Sequence, residues 1–262
     1  MTINQDGIDV TRASPTGIKV IIVGAGFGGL TAAIECHLNG HDVVLLEAVR
    51  ELKPYGDIIS FGNNAGRIFG HWSKGYMLKE FLGRLFYYPY FSIRKYDGTE
   101  IAKQGPPPRI PDAPNFSAHR GELHLSVYHY AKDVLGIDIR LDARVVKYWE
   151  DEKGAGVETA NGEKFEGDVV IGSDGVKSKA RELVLGYYDK PHSSGYACFR
   201  AWFPGAPLLD DPLTKEFVDY GDTFTGWVGP HVHFLCDVTK GGRECSFFLT
   251  HKVCIPFELA DN

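Results

Sequence analysis

Apolar and polar positions follow a regular order over the first fifty residues. Residues 18–23 form an apolar, β-branched run, which is typical of a buried parallel strand. A glycine-rich turn follows, then helix-forming residues at 30–38, and Gly40 marks the helix end. A second apolar run spans 42–46. The pattern predicts a βαβ unit.

In the rest of the chain, apolar and polar residues alternate over shorter segments. Residues 145–159 predict two strands joined near Lys153 and Gly154, and residues 91–102 predict two strands around an Asp-Gly turn. A further strand series begins at residues 195–203 and continues to Phe248. Residues 169–172 predict a buried strand, which leads into an Asp-Gly turn and a helix from about residue 178.

Composition and charge narrow the class of protein. The 262 residues are 44% hydrophobic and 24% charged, which fits a globular protein with a sizeable core. A net charge of −6 without a long basic block argues against nucleic acid and anionic membranes as partners. We expect no signal peptide and no membrane anchor, because the early apolar run is short. Oligomeric state stays open.

Cysteines and histidines give no metal or disulfide signal. The five cysteines contain no C-x-x-C pair, so we expect small buried thiols in a reducing cytoplasm. They stand at positions 36, 198, 236, 245 and 254. His231 and His233 are spaced to project from one face of a strand, but such a pair is more commonly a polar rim or a set of satisfied core histidines. We predict no metal site.

The glycine turn carries the first candidate chemistry. Gly24, Gly26 and Gly29 form G-x-G-x-x-G between the first strand and the helix. Gly24 suits the tight turn, Gly26 lets phosphates approach the backbone, and Gly29 lets helix and strand pack closely. Glu47 ends the next strand at the spacing of a ribose-binding acid. The unit therefore predicts binding of a dinucleotide whose adenosine ribose carries no extra phosphate, namely FAD or NAD. A purely structural turn is the alternative.

A second stretch, Gly167-Asp-Val-Val-Ile-Gly-Ser-Asp174-Gly-Val-Lys-Ser-Lys-Ala-Arg181, resembles the second fingerprint of the flavoprotein aromatic hydroxylases, the salicylate hydroxylase-like FAD-dependent monooxygenases. The resemblance implies that Asp174 lies on the FAD side of its turn. The alternative is that Asp174 only caps its own turn.

Two further segments extend the resemblance. His119-Arg120-Gly-Glu-Leu is similar to the family's His-Arg-x-x-Leu helix start, which implies that Arg120 contacts the flavin cofactor; a guanidinium suits phosphate oxygens well. Gly56 stands where the family has a glycine close to the flavin. Asp57 departs from the family pattern there, so a plain turn glycine is the alternative at Gly56.

Arg200 is the candidate catalytic residue. In some family members an arginine on the strand corresponding to residues 195–203 faces the aromatic substrate, which implies that Arg200 holds a phenolate or carboxylate. The alternative is an arginine paired with a sheet neighbour or pointing to solvent.

The resemblance implies an α/β fold: a Rossmann-like FAD-binding domain with a parallel sheet, interleaved with an incomplete, mainly antiparallel substrate domain. We expect the FAD domain at 17–85 and 115–187, the substrate domain at 88–114 and 188–262, and a flexible terminus at 1–16. The third family motif, Gly-Asp before a small pair and His, is absent from the sequence, so we expect the first two thirds of a C-terminally truncated hydroxylase.

The implied activity is hydroxylation of a small aromatic or polyketide-like substrate in secondary metabolism, with FAD as cofactor and NAD(P)H and O₂ as co-substrates. Two alternatives stay open. One is a non-catalytic FAD-binding remnant or interaction protein, and the other is a different FAD or NAD oxidoreductase that shares the βαβ unit.

Overall fold

The computed structural model describes residues 2–82, 85–86, 88–106, 108, 110–111, 113–218 and 221–253. Backbone contacts divide the chain into two compact units that are interleaved in sequence. The first comprises Met1–Pro54, Ile68–Gly83 and Gly121–Lys190, and the second comprises Tyr55–Arg67, Arg84–Arg120 and Pro191–Asn262. The predicted domains assign residues 55–67 and 115–120 to the cofactor domain instead.

The elements follow in chain order. The helices are α1 (Phe27–Leu38), α2 (Asn63–His71), α3 (Tyr76–Leu82), α4 (Arg120–His129), α5 (Ala180–Leu185), α6 (Ala206–Leu209) and α7 (Lys215–Val218). A 3₁₀ turn at Trp72–Gly75 precedes α3, and a π-helical turn at Tyr130–Val134 follows α4. The strands are β1 (Lys19–Val23), β2 (Asp42–Leu46), β3 (Ile58–Phe61), β4 (Leu85–Phe86), β5 (Phe91–Lys95), β6 (Glu100–Gln104), β7 (Phe116–His119), β8 (Asp138–Arg140), β9 (Val145–Asp151), β10 (Gly154–Thr159), β11 (Lys164–Gly167), β12 (Val169–Gly172), β13 (Tyr196–Pro204), β14 (Thr223–Gly229), β15 (Val232–Thr239) and β16 (Glu244–Lys252).

A four-stranded parallel sheet organises the first unit, in the order β12-β1-β2-β8. The chain passes from β1 through α1 to β2, which confirms the predicted βαβ unit. Helix α1 begins at Phe27, one turn earlier than the sequence pattern suggests, and Gly40 follows it with the left-handed φ of 89° that ends the helix. The sheet therefore brings the glycine turn to the carboxyl ends of its strands.

A smaller antiparallel sheet, β11-β10-β9, supplies the second layer of the first unit. Its β9–β10 pair confirms the predicted hairpin near Lys153. Val157 of this sheet is fully buried in one cluster with Ile21 and Leu46 of the parallel sheet. Packing of branched side chains from both sheets thus forms the core beneath the glycine turn.

Aromatic packing covers the other part of this unit. The fully buried Trp72 stacks on Tyr130 at 5.8 Å between ring centroids and donates a hydrogen bond to Glu35 of α1 at 2.7 Å. The N-terminal segment, predicted to be flexible, makes contacts here: Lys74 Nζ lies 2.9 Å from Asp9.

A six-stranded sheet dominates the second unit, in the order β13-β16-β15-β14-β5-β6. All of its pairs are antiparallel except β5 with β14, which is parallel. The β5–β6 hairpin turns at Asp97 and Gly98 as predicted. A second sheet, β3-β7-β4, is antiparallel. The fold class predicted from the sequence, α/β with a parallel sheet and a mainly antiparallel one, is confirmed.

Two predictions of burial are wrong, and both concern edge strands. Val169 of β12 is 46% exposed, because β12 is at the edge of its sheet and pairs with β1 within the described ranges. Cys198 is exposed on the edge strand β13, whereas Cys245 in β16 is buried as expected. Cys36 and Cys236 are half-buried, and the predicted thiol at Cys254 lies outside the described residues.

Candidate functional site

The glycine turn after β1 is held by backbone contacts that leave no room for side chains at two positions. Gly24 has a φ of 101°, and a Cβ there would lie 2.3 Å from the carbonyl oxygen of Ser173. A Cβ on Gly29 would lie 1.8 Å from the carbonyl oxygen of Gly24. Both glycines are therefore required by the close approach of strand, turn and helix.

Gly26 differs from these two glycines. It is the N-cap of α1 with φ −69° and ψ 177°, an extended conformation that any residue adopts, and no atom lies within 4 Å of a Cβ placed on it. No side chain caps the helix, and its first turn holds no acidic residue. The positive end of the helix dipole thus faces open space, an arrangement that suits a phosphate group.

Glu47 is fixed beside this turn. Its Oε2 accepts a hydrogen bond from the backbone N–H of Ala25 at 2.7 Å, and its Oε1 accepts one from Val49 at 3.0 Å. The side chain is half-buried at the carboxyl end of β2. A carboxylate accepts about four hydrogen bonds, so these two contacts position Glu47 and leave capacity for ribose hydroxyls.

Helix α4 supports the turn through residues that the sequence analysis gave no role. His124 Nε2 lies 2.5 Å from the carbonyl oxygen of Ala25, which requires Nε2 to carry a proton, and its ring meets Phe27 edge-on at 5.4 Å. A Cβ on Gly121 would lie 2.3 Å from the carbonyl carbon of Pro54. No local signal identifies His124, because its partner is distant in sequence.

Asp174 caps the turn after β12. Its Oδ2 accepts hydrogen bonds from the Tyr148 hydroxyl at 2.9 Å, from the N–H of Lys179 at 2.8 Å and from the N–H of Ala180 at 3.2 Å. Burial raises the pKa of Asp174, but hydrogen bonds from Ser178, Tyr148 and these N–H groups outweigh it and lower that pKa below its usual value.

Asp174 therefore caps its own turn, and its place on the FAD side of that turn stays a prediction. Its Oδ1 is buried without a hydrogen-bond partner among the described residues.

A second group of predicted residues gathers in the second unit. Gly56 has a φ of 142°, and a Cβ there would lie 3.0 Å from Cβ of Arg120. The backbone N–H of Arg120 donates to the carbonyl oxygen of Asp57 at 2.6 Å, and the Arg120 side chain is exposed. The turn at Gly56 and the start of α4 are thus fixed against each other.

Arg200 joins this group through an ion pair. Its Nε lies 2.7 Å from Oδ2 of Asp57, and its guanidinium carbon lies 4.5 Å from the centre of the Phe248 ring on the neighbouring strand β16. The Asp57 side chain is 10% exposed and the Arg200 side chain 53%. Asp57, noted in the sequence only as a departure from a family pattern, is the fixed partner of the candidate catalytic arginine.

The predicted site residues thus form two groups, each within one unit. Gly24, Gly26, Gly29 and Glu47 surround the N-terminus of α1, and Asp174 follows Ser173, which touches that turn. The other group contains Gly56, Arg120 and Arg200, linked through Asp57.

The structure places His231 and His233 in different elements. His231 has a φ of 59° and lies with Pro230 in the two-residue turn between β14 and β15, whereas His233 lies within β15. Proline followed by a residue with positive φ is typical of a type II turn. The placement of both histidines on one strand is therefore wrong. Within the described part of the chain, no three His, Cys, Asp or Glu residues cluster around a cation position.

Among the described helices, none combines enough length and apolarity to span a membrane.

Comparison with known proteins bears on the glycine turn first. Residues 19–53 match the family described as FAD binding domain. Asperlicin C monooxygenase of Petromyces alliaceus is 39% identical over 246 residues, and FAD-dependent monooxygenase nodY2 of Hypoxylon pulicicidum is 35% identical over 261 residues. These matches cover 90% and 92% of this chain. The chain is therefore related to FAD-dependent monooxygenases, which confirms the family resemblance seen in the sequence.

Solved structures agree with this family. The crystal structure of FqzB superposes with a TM-score of 0.83 at 35% identity over 95% of this chain. CtdE, solved in complex with FAD and its substrate 4, gives a TM-score of 0.84 at 29% identity over 92% of the chain. These matches cover 56% and 58% of those proteins.

The chain spans about half the length of the curated relatives it matches, 51% and 56% for the two named above. The expected share of two thirds was too large.

Proposed function

We propose that this chain forms the FAD-binding and substrate-sheet parts of an FAD-dependent monooxygenase that acts on a small aromatic or polyketide-like molecule. NAD(P)H and O₂ are its co-substrates. The observation that carries the proposal is the open N-terminus of α1 at Gly26, where no side chain caps the helix and the first turn holds no acidic residue. Kinship with FAD-dependent monooxygenases supports FAD as the dinucleotide.

The residues of the first unit fit the cofactor. The Gly24–Gly29 turn would hold the pyrophosphate on backbone N–H groups, and Glu47 would accept hydrogen bonds from a ribose. His124 keeps the turn in place by donating to Ala25. Asp174, which caps its own turn, would act on the cofactor through the position of Ser173.

Residues of the second unit are proposed to contact the substrate and the flavin. Gly56 and Arg120 would contribute backbone and guanidinium contacts to the flavin. Bound FAD would supply the redox chemistry, in which NAD(P)H provides the electrons and O₂ the inserted oxygen atom. Arg200 would bind an oxygen of the aromatic substrate and stabilise its ionised form, while Asp57 fixes the guanidinium.

Titration of the purified 262-residue chain with FAD tests this proposal. We expect quenching of flavin fluorescence on binding, and NADPH oxidation that is faster in the presence of a phenol. An Arg200→Lys variant should bind FAD normally and lose the phenol stimulation, since Lys lacks the forked donor that bonds Asp57. Binding of NAD without FAD would refute the proposal.

A second candidate is a flavin-binding protein without turnover. The open N-terminus of α1 at Gly26 suits this candidate equally well, since binding of a phosphate there requires no turnover. Flavin binding without phenol-stimulated NADPH oxidation would support it.

We also infer a cytoplasmic location, because the free thiols at Cys36, Cys198, Cys236 and Cys245 suit a reducing compartment. Imaging of the tagged chain in its host checks this location.

A further inference from the structure

A buried acid stands in the middle of the six-stranded sheet. Asp237 lies on β15, between β14 and β16, and its exposed fraction is 0%. Asp residues are rarely buried to this extent unless they are paired with a cation. The sequence pattern gave Asp237 no role, and the proposed reaction does not use it.

The hydrogen bonds of Asp237 are incomplete. The hydroxyl of Tyr88 donates to its Oδ1 at 3.0 Å, whereas its Oδ2 has no hydrogen-bond partner among the described residues. Ser246 lies directly opposite on β16, is 1% exposed, and its Oγ also lacks a partner within that set. Opposite residues of an antiparallel pair project from the same face, so two unsatisfied buried oxygens are neighbours.

Protonation of Asp237 lowers the free-energy cost of burying this carboxyl group. An ionised carboxylate with one donor is costly inside a sheet, whereas a protonated carboxyl carries no charge and needs fewer donors. Burial raises the pKa of Asp237 to about 7; the hydrogen bond from Tyr88 lowers it, and the negative charge of Asp57 raises it further. This group therefore changes charge in the neutral range.

The acid shares a sheet face with Arg200. Trp202, Ser246 and Asp237 are aligned across three strands, and Arg200 stands two residues before Trp202 on β13, so its side chain projects from the same face. The ionisable groups that act on this carboxyl come from other elements as well. They are Tyr88 after β4 and Asp57 before β3, while Asp222 before β14 acts on Tyr88.

We propose that Asp237 is a positioning residue that carries a proton until the pH rises through neutrality and whose ionisation is coupled to the Asp57–Arg200 ion pair. With the proton in place, Asp57 and Arg200 form a neutral pair. Without it, a second negative charge appears beside Asp57, and this part of the sheet carries one net negative charge. The consequence for substrate binding at Arg200 rests on the proposed function, but the coupling itself does not.

Infrared difference spectroscopy of the purified chain between pH 5 and pH 9 tests this coupling without FAD or substrate. We expect a carboxylic acid C=O band that disappears as the pH rises through neutrality and that Asp237→Asn removes. The matched control Asp210→Asn changes an exposed acid and should leave the band in place.

Two further variants test the groups that act on the Asp237 carboxyl. In Asp57→Asn the band should disappear at lower pH than in the wild type, since the charge that disfavours ionisation is gone. In Tyr88→Phe it should persist to higher pH, since a donor to the carboxylate is lost.

A wild-type spectrum without an acid band sensitive to Asp237→Asn would overturn the proposal, and so would a band whose titration is the same in Asp57→Asn. Both results are independent of whether the chain binds FAD. Urea unfolding of each variant identifies those that fail to fold, and the Tyr88→Phe titration then decides the assignment if Asp237→Asn is among them.

Discussion

Replacement of Gly26 by valine should distinguish an effect on phosphate binding from an effect on the stability of the fold. Gly24 and Gly29 cannot serve this purpose, because a Cβ at either would collide with backbone. At Gly26 a side chain meets no atom within 4 Å, and the extended backbone accepts a β-branched residue. The valine would occupy the space through which a pyrophosphate reaches the N-terminus of α1.

The expected magnitudes differ for the two properties. A phosphate held at a helix N-terminus makes charge-assisted hydrogen bonds, each contributing roughly 1.5–3 kcal/mol. Loss of two of them weakens FAD binding by about 100-fold or more, since 1.4 kcal/mol corresponds to a factor of ten. The free energy of unfolding should fall by no more than about 1 kcal/mol, the usual cost of a poorer N-cap residue.

Fluorescence titration with FAD measures the first quantity, and urea unfolding without FAD measures the second. Gly105→Val is the matched control, because Gly105 also has open space around its Cβ position and lies in a loop after β6. The Gly105→Val variant should change neither the affinity for FAD nor the free energy of unfolding. A folded Gly26→Val chain that binds FAD within threefold of the wild type would refute the assignment of the glycine turn to the pyrophosphate.

Three further variants probe the remaining contacts. Glu47→Gln should weaken FAD binding roughly tenfold by removing charge from the ribose acceptor; equal affinity would mean that Glu47 only braces the turn. Asp57→Asn should tighten binding of benzoate severalfold, measured by calorimetry, because Arg200 loses its counter-charge, and weaker binding would instead show that Asp57 orients Arg200. Tyr148→Phe should lower the free energy of unfolding at pH 7 by about 1 kcal/mol. The pKa of Asp174 is lowered in the folded chain, so this loss should shrink only in strong acid, as the pH falls below the ordinary range of an aspartate and Asp174 becomes protonated; a loss that is unchanged in acid would contradict the role of this bond.

Much of the fold was predictable from local signals. The apolar strand, glycine turn and helix formers near the start of the chain dictate a βαβ unit, and the Asp97-Gly98 turn dictates its hairpin. Burial of strands was less predictable. The apolar run of β12 has the same character as that of β1, and only sheet order places one at the edge and the other inside.

The glycine positions of the candidate site were predictable because their spacing is local, although the backbone that crowds Gly24 belongs to Ser173 in a distant segment. The contacts of His124 with Ala25 and of Tyr148 with Asp174 were not, because they join segments far apart in sequence. A single sequence gives no signal for such pairs, since each side chain alone fits an ordinary surface or core position.

The pairing of Asp57 with Arg200 changes what the arginine can recognise. Considered alone, Arg200 favours an anionic substrate, because its guanidinium carries a fixed charge. Asp57 already neutralises that charge through Nε at 2.7 Å, and a guanidinium has further N–H donors beyond Nε. A neutral oxygen acceptor on an aromatic ring then gains hydrogen bonds without competing for the charge, whereas an anion meets the nearby carboxylate. Under the role proposed for Arg200, Asp57 should therefore reduce the preference of this arginine for an anion over the neutral form of the same aromatic molecule.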